Sequence, residues 1–82
     1  MGAEEERQLT TGDEARTALS RVLLERIRKD DHPSVAQMDI LEETIPPQLV
    51  REYLSILLEK TLADRWPSIP MLRRISRVAQ RL

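Results

Sequence analysis

Leu23-Leu24-Glu25-Arg26-Ile27-Arg28-Lys29-Asp30-Asp31-His32-Pro33-Ser34-Val35 is echoed, 34 residues further on, by Leu57-Leu58-Glu59-Lys60-Thr61-Leu62-Ala63-Asp64-Arg65-Trp66-Pro67-Ser68-Ile69. Six of the thirteen aligned positions are identical without a gap: Leu23/Leu57, Leu24/Leu58, Glu25/Glu59, Asp30/Asp64, Pro33/Pro67 and Ser34/Ser68. Arg26/Lys60, Val35/Ile69 and Val22/Ile56 are conservative matches. The apolar spacing continues beyond the motif, where Met38, Leu41 and Ile45 align with Leu72, Ile75 and Ala79. A fixed period of this length is the mark of a repeated supersecondary unit.

Each part of the motif has a physical role. Leu-Leu-Glu belongs to the end of a long helix. A proline biases the residue before it away from helical geometry, so that helix must stop at His32 or Trp66. The serine after the proline is a good N-cap for the next helix, because its hydroxyl accepts a hydrogen bond from a free N–H of the first turn. Ser34-Val35-Ala36-Gln37 also fits a capping box. Pro70 falls in a first turn, where its missing N–H costs little.

Four helices follow, over about 12–30, 35–44, 47–63 and 69–81. Thr11 and Glu14 can form a capping box for the first. Ile45-Pro46-Pro47 breaks the second and Pro47 opens the third. No alternating apolar stretch with a hairpin turn points to strands. The expected fold is an all-α four-helix bundle made of two repeated helix–turn–helix units, about 12–45 and 46–82. The polar, acidic residues 1–10 are expected to form a disordered tail.

Periodicity of 3.6 residues assigns the inward faces. The first helix offers Ala15, Ala18, Leu19, Val22, Leu23 and Ile27. The second offers Val35, Met38, Leu41 and Ile45. The third offers Leu49, Val50, Tyr53, Leu54, Ile56, Leu57, Leu58, Thr61 and Leu62, which is more than one narrow stripe. The fourth offers Ile69, Leu72, Ile75, Val78, Ala79 and Leu82.

At 82 residues the chain is sized for one domain. It has no cysteine, so no disulfide framework or thiolate metal site can form. The first residues lack the order of a secretory signal, and no apolar run approaches a membrane span. A cytoplasmic protein that does not enter the membrane is expected. Formal net charge is −1, but the ends differ in sign. Residues 1–14 carry Glu4, Glu5, Glu6, Asp13 and Glu14 against Arg7, while beyond Asp64 only arginines are charged. With one Trp, one Tyr and no Phe, stacking platforms for single-stranded nucleic acid are disfavoured.

Catalytic patterns are absent. Asp30, Asp31 and His32 are the one cluster of potential metal ligands, but the second copy has Arg65 and Trp66 in place of Asp31 and His32, as expected of turn-packing positions. His32 beside Ser34 lacks the third group and oxyanion hole of a triad. Glu42 and Glu43 read as a solvated face rather than paired catalytic acids. The glycines, Gly2 and Gly12, build no phosphate loop. The expectation is no enzyme, no cofactor and no metal.

Arg73, Arg74, Arg77 and Arg81 form a stripe on the fourth helix. It reads either as a contact surface for phosphates or an acidic protein, or as a solvated face favoured near a helix C-terminus. Pro67-Ser68-Ile69-Pro70-Met71-Leu72-Arg73-Arg74-Ile75-Ser76-Arg77-Val78 resembles the fourth helix of phage-repressor-type helix-turn-helix regulators. That resemblance implies a core-packing helix, and the glutamine-rich recognition pair of those regulators is missing. Tyr53 and Trp66 are the aromatic anchor candidates.

The expected function is protein–protein interaction through helix surfaces, as an adaptor or small subunit, with Tyr53, Trp66, Arg73, Arg74, Arg77 and Arg81 as contact candidates. Binding of duplex DNA through the arginine stripe is the alternative. The expected partner is a second copy or another protein. A homodimer is favoured by the apolar excess of the third helix. Acidic Asp39, Glu42 and Glu43 also align with Arg73, Ser76 and Arg77, so the second and fourth helices can pair within or between chains.

Overall fold

The computed structural model describes residues 11–82; the expected acidic tail at 1–10 lies outside them. The described residues contain four helices and no strand: α1 (Gly12–Lys29), α2 (Val35–Thr44), α3 (Pro47–Ala63) and α4 (Ile69–Ala79). α1 packs on α2, α3 packs on α4, and α1 also meets α3, in keeping with a bundle.

Local chemistry sets the helix limits. Thr11 accepts from the Glu14 N–H at 3.0 Å, and the Glu14 carboxylate accepts from the Thr11 N–H at 3.1 Å, closing the box at α1. Ser34 and Ser68 accept from the N–H groups of Gln37 and Met71 at 3.0 and 3.2 Å. The box expected at Ser34 is only half made: Gln37 Oε1 is buried without a hydrogen-bond partner. Pro46 and Pro47 hold the start of α3 with no side-chain cap. α4 ends at Ala79, two residues short of the expected end, and Gln80–Arg81 forms a turn.

The core contains Leu23, Leu24 and Ile27 of α1, Met38 and Leu41 of α2, and Ile45 just after it. α3 contributes Leu49, Val50, Tyr53, Leu54, Ile56 and Leu57, and α4 contributes Val78. α3 is thus the central helix, as its apolar breadth implies. Leu24 and Ser20 are buried although the sequence pattern omitted them. The inward stripe of α1 is 20/23/24/27, and Ala15, Leu19 and Val22 lie on the neighbouring, exposed stripe.

The largest departure is in α4. Leu72 and Ala79 were expected inside but are exposed, as are Ile69 and Leu82. The less exposed positions are Met71, Arg74, Ile75 and Val78. They form the helical stripe one residue before 72/75/79, a rotation of about 100°. Polar contacts from α2 and α3 hold that orientation. Arg74 points inward, retaining 8% exposure. Its Nη1 donates to Glu42 Oε2 at 2.7 Å, and its Nη2 lies 3.0 Å from Asp39 Oδ1. Tyr53 on α3, fully buried, donates its hydroxyl to the same Glu42 oxygen at 2.6 Å. Glu42 is therefore the hub joining α2, α3 and α4, rather than part of a solvated face.

Candidate interaction surface

The second turn and the start of α4 carry most of the exposed candidates. Asp64 closes α3 in an extended conformation (φ −89°, ψ 129°). Its Oδ1 accepts the Trp66 N–H at 3.2 Å, a short-range bond that favours a turn over further helix. Pro67 then keeps the chain extended into Ser68. The indole of Trp66 is left 82% exposed. Around it in the chain, Leu62 is 85% and Ile69 60% exposed, with Leu58 and Leu72 also open to solvent. The eleven residues 62–72 thus hold four large exposed apolar side chains, Leu62, Trp66, Ile69 and Leu72. A contiguous exposed apolar patch calls for an explanation, whereas single exposed apolar residues do not.

The first turn approaches the second. Asp31, His32 and Pro33 face Thr61, Trp66 and Met71 across a cleft of about 210 Å³. Lys60 lies between them and donates to the carbonyl of Arg28 at 2.9 Å and to that of Asp30. It thereby caps the end of α1, where a cation complements the helix dipole. A shallower depression beside it is bordered by Asp31, His32 and Glu59. Among the described residues no three His, Cys, Asp or Glu side chains are placed to hold a metal ion.

The six contact candidates fall into two groups. Tyr53 and Arg74 are inside the fold and offer almost no surface to a partner. Burial, and then the hydrogen bond to Glu42, push the Tyr53 hydroxyl well above the ordinary tyrosine range. For Arg74 burial acts to lower its basicity, but hydrogen bonds to Glu42 and Asp39 overcome it, so the guanidinium is held even more firmly charged. Trp66, Arg73, Arg77 and Arg81 are exposed. Arg77 Nη2 is 3.9 Å from Glu42 Oε1, and Arg81 Nη1 donates to the Glu42 carbonyl at 2.9 Å. The expected arginine stripe is therefore divided. Arg74 is a structural clamp, Arg77 and Arg81 lean toward α2, and Arg73 pairs with no acid among the described residues.

Sequence reasoning missed Leu62, Ile69 and Leu72 as surface residues, having placed them in the core. It also missed Glu42 and Lys60 as bridging groups. Position held a usable signal. Leu62 is one residue from the end of α3 and Ile69 is the first residue of α4, so both flank the second turn.

Comparison with protein-family models, with characterised proteins and with solved structures finds no match to this chain. Among the described residues no helix is long and apolar enough to cross a membrane.

Proposed function

We propose that this chain is a non-catalytic protein–protein interaction module whose contact surface is the second turn with the outer side of α4. The observation that carries this reading is the grouping of Leu62, Trp66, Ile69 and Leu72, all exposed within one short stretch. Aromatic and arginine side chains are the preferred anchors of protein interfaces, and Trp66 and Arg73 supply both. Such a surface acts as an adaptor or as the docking face of a small subunit.

We also read the domain as two copies of one helix–turn–helix unit. The matching turns support this. Asp30 (φ −85°, ψ 131°) and Asp64 (φ −89°, ψ 129°) close the first helix of each pair in the same conformation. Ser34 (φ −71°, ψ 144°) and Ser68 (φ −76°, ψ 151°) cap the second alike.

Binding of duplex DNA through α4 is the second reading, and it ranks lower on one observation. Arg74 faces inward while Arg77 and Arg81 contact Glu42, which leaves fewer cations free for phosphates than four aligned arginines imply.

The test is cross-linking and affinity capture with the purified protein, comparing wild type with Leu62→Ser and Trp66→Ala, alongside duplex-DNA binding at several salt concentrations. Both positions are exposed, so the variants should keep the wild-type helical content. Loss of captured protein in both variants supports the reading. Unchanged capture in both, or tight DNA binding with a steep negative salt slope, overturns it.

A further inference from the structure

The outer sides of α2 and α4 match each other beyond the ion pairs of Arg74 with Asp39 and Glu42 and of Arg77 with Glu42 that already join the two helices within the chain. On α2, Val35, Ala36, Asp39, Ile40 and Glu43 are exposed. On α4, Ile69, Pro70, Leu72, Arg73 and Arg77 are exposed. Each helix carries one sign of charge: Asp39, Glu42 and Glu43 on α2 with no base, and Arg73, Arg74 and Arg77 on α4 with no acid. In matching registers Val35 corresponds to Ile69, Asp39 to Arg73 and Glu43 to Arg77. The two leading apolar residues are equally open, Val35 at 61% beside the 60% of Ile69.

We propose that these two faces are complementary halves of one self-association surface, so that the occupant of the α4 face is α2 of a second copy of this chain. The proposal rests on the reading of the chain as an interaction module and names its partner. A two-fold axis would place α4 of each copy on α2 of the other and make every contact twice. Val35 then meets Ile69, Asp39 meets Arg73 and Glu43 meets Arg77, with Ile40 and Leu72 beside them.

Two observations favour a second copy over another acidic partner. Within one chain Arg74 already joins α2 to α4 through Asp39 and Glu42, so acid-on-α2 to base-on-α4 is a pairing this protein makes. What remains outside is the unpaired remainder of the same two sets: Glu43 and Arg73 make no ion pair among the described residues. Glu43 also lies in the last turn of α2, which has no basic residue. A carboxylate there faces the negative end of the helix dipole, and a cation from outside would relieve it. Apolar contact supplies affinity, while the charges set register and exclude like-on-like docking.

Sedimentation equilibrium of the full chain up to about 1 mM, the weak end of specific association, tests this with a charge swap. The samples are wild type, Glu43→Arg, Arg77→Glu and an equimolar mixture of the two variants. Wild type should show twice the monomer mass, and added salt should lower the dimer fraction. Each variant alone should associate about tenfold or more weakly, because attraction becomes repulsion at two symmetry-related contacts. The mixture should regain wild-type association, since every opposed pair is again of opposite sign. An uncharged pair, Val35→Ser and Ile69→Ser, should each weaken the dimer and gives an independent reading if a charge variant does not fold. A wild-type monomer throughout overturns the proposal. If that monomer still captures protein through Leu62 and Trp66, the interaction reading stands without it. A dimer in which both variants associate as wild type, or in which the mixture is no tighter than either variant, also overturns the pairing of these faces.

Discussion

α2 and α4 follow turns with similar dihedral angles at the closing aspartate and the capping serine, and end up turned differently about their own axes. Both follow an aspartate that closes the preceding helix, an X-Pro step and a capping serine with similar dihedral angles. After that the inward residues part company. α2 buries Met38, Leu41 and Ile45, an apolar face. Of the aligned positions in α4, Leu72 and Ala79 are exposed and Ile75 is only partly covered. At the aligned pair Ile40 and Arg74 the isoleucine is outside and the arginine inside, and the arginine is the one that departs from the expected face. The serine caps at the turns are contacts within a few residues of chain. The rotation of the helix beyond the turn depends on what its neighbours present, and here α2 and α3 present Glu42, Asp39 and the Tyr53 hydroxyl. A guanidinium satisfies two carboxylates at once through its fixed fork of donors, which an aliphatic side chain at that place cannot do.

If burial rather than aligned position governs energetics, truncation at the aligned pair Met38 and Leu72 should have unequal effects. Met38→Ala empties a fully enclosed site and should cost about 2–5 kcal/mol. Leu72→Ala removes an exposed side chain and should stay within about 0.5 kcal/mol. Urea denaturation of the two variants measures both, and comparable losses would mean that α4 buries the same face as α2.

The turns should behave oppositely, as equals. Ser34→Ala and Ser68→Ala each remove one cap hydrogen bond of similar length and should each cost about 1 kcal/mol. Thermal denaturation showing a loss in one and none in the other would separate the turns that the dihedral angles unite.

A smaller effect belongs to the hub. Tyr53 is the one tyrosine in the chain. Its folded-state affinity for the proton is raised above the ordinary value of 10.0. The unfolded chain therefore gives up this proton first as pH rises. Its contribution to stability is complete below about pH 10 and declines above it. Tyrosinate absorbance should appear together with loss of helical circular dichroism. Tyr53→Phe should flatten the alkaline decline. Ionisation of Tyr53 while the helices remain intact would contradict the buried bond to Glu42.

The same division explains what could be read from the chain alone. Helix number and most helix limits were legible because Thr11 with Glu14, Pro33-Ser34, Pro46-Pro47 and Pro67-Ser68 act locally. The centrality of α3 was legible because Leu49, Val50, Tyr53, Leu54, Ile56 and Leu57 exceed any single stripe. The pairing of acidic α2 with basic α4 was visible as an alignment of opposite charges, and the fold makes it inside one chain. Arg74 was assigned to the surface, and Tyr53, though placed on the inward face, was also offered as a contact residue, because periodicity ranks a side chain by type. It does not register that a charged or hydroxyl group can be buried once its partners are buried with it. Leu62, Ile69 and Leu72 were assigned to the core for the converse reason: a small domain has fewer inward places than apolar residues, and the excess stays outside. Of the contact candidates, Trp66 was legible as an aromatic beside a proline turn, whereas the apolar group around it emerged only once α4 was seen to be rotated.

The central claim is that the Glu42–Arg74 pair sets the rotation of α4 and so leaves its leucine, isoleucine and remaining arginines outside. A double-mutant cycle by equilibrium urea denaturation tests it most directly, using Glu42→Gln, Arg74→Met and the two together. The account predicts a coupling of about 1–3 kcal/mol, with the double variant less destabilised than the sum of the singles. Additivity to within about 0.3 kcal/mol would contradict it, because the two side chains would then not act on each other at all.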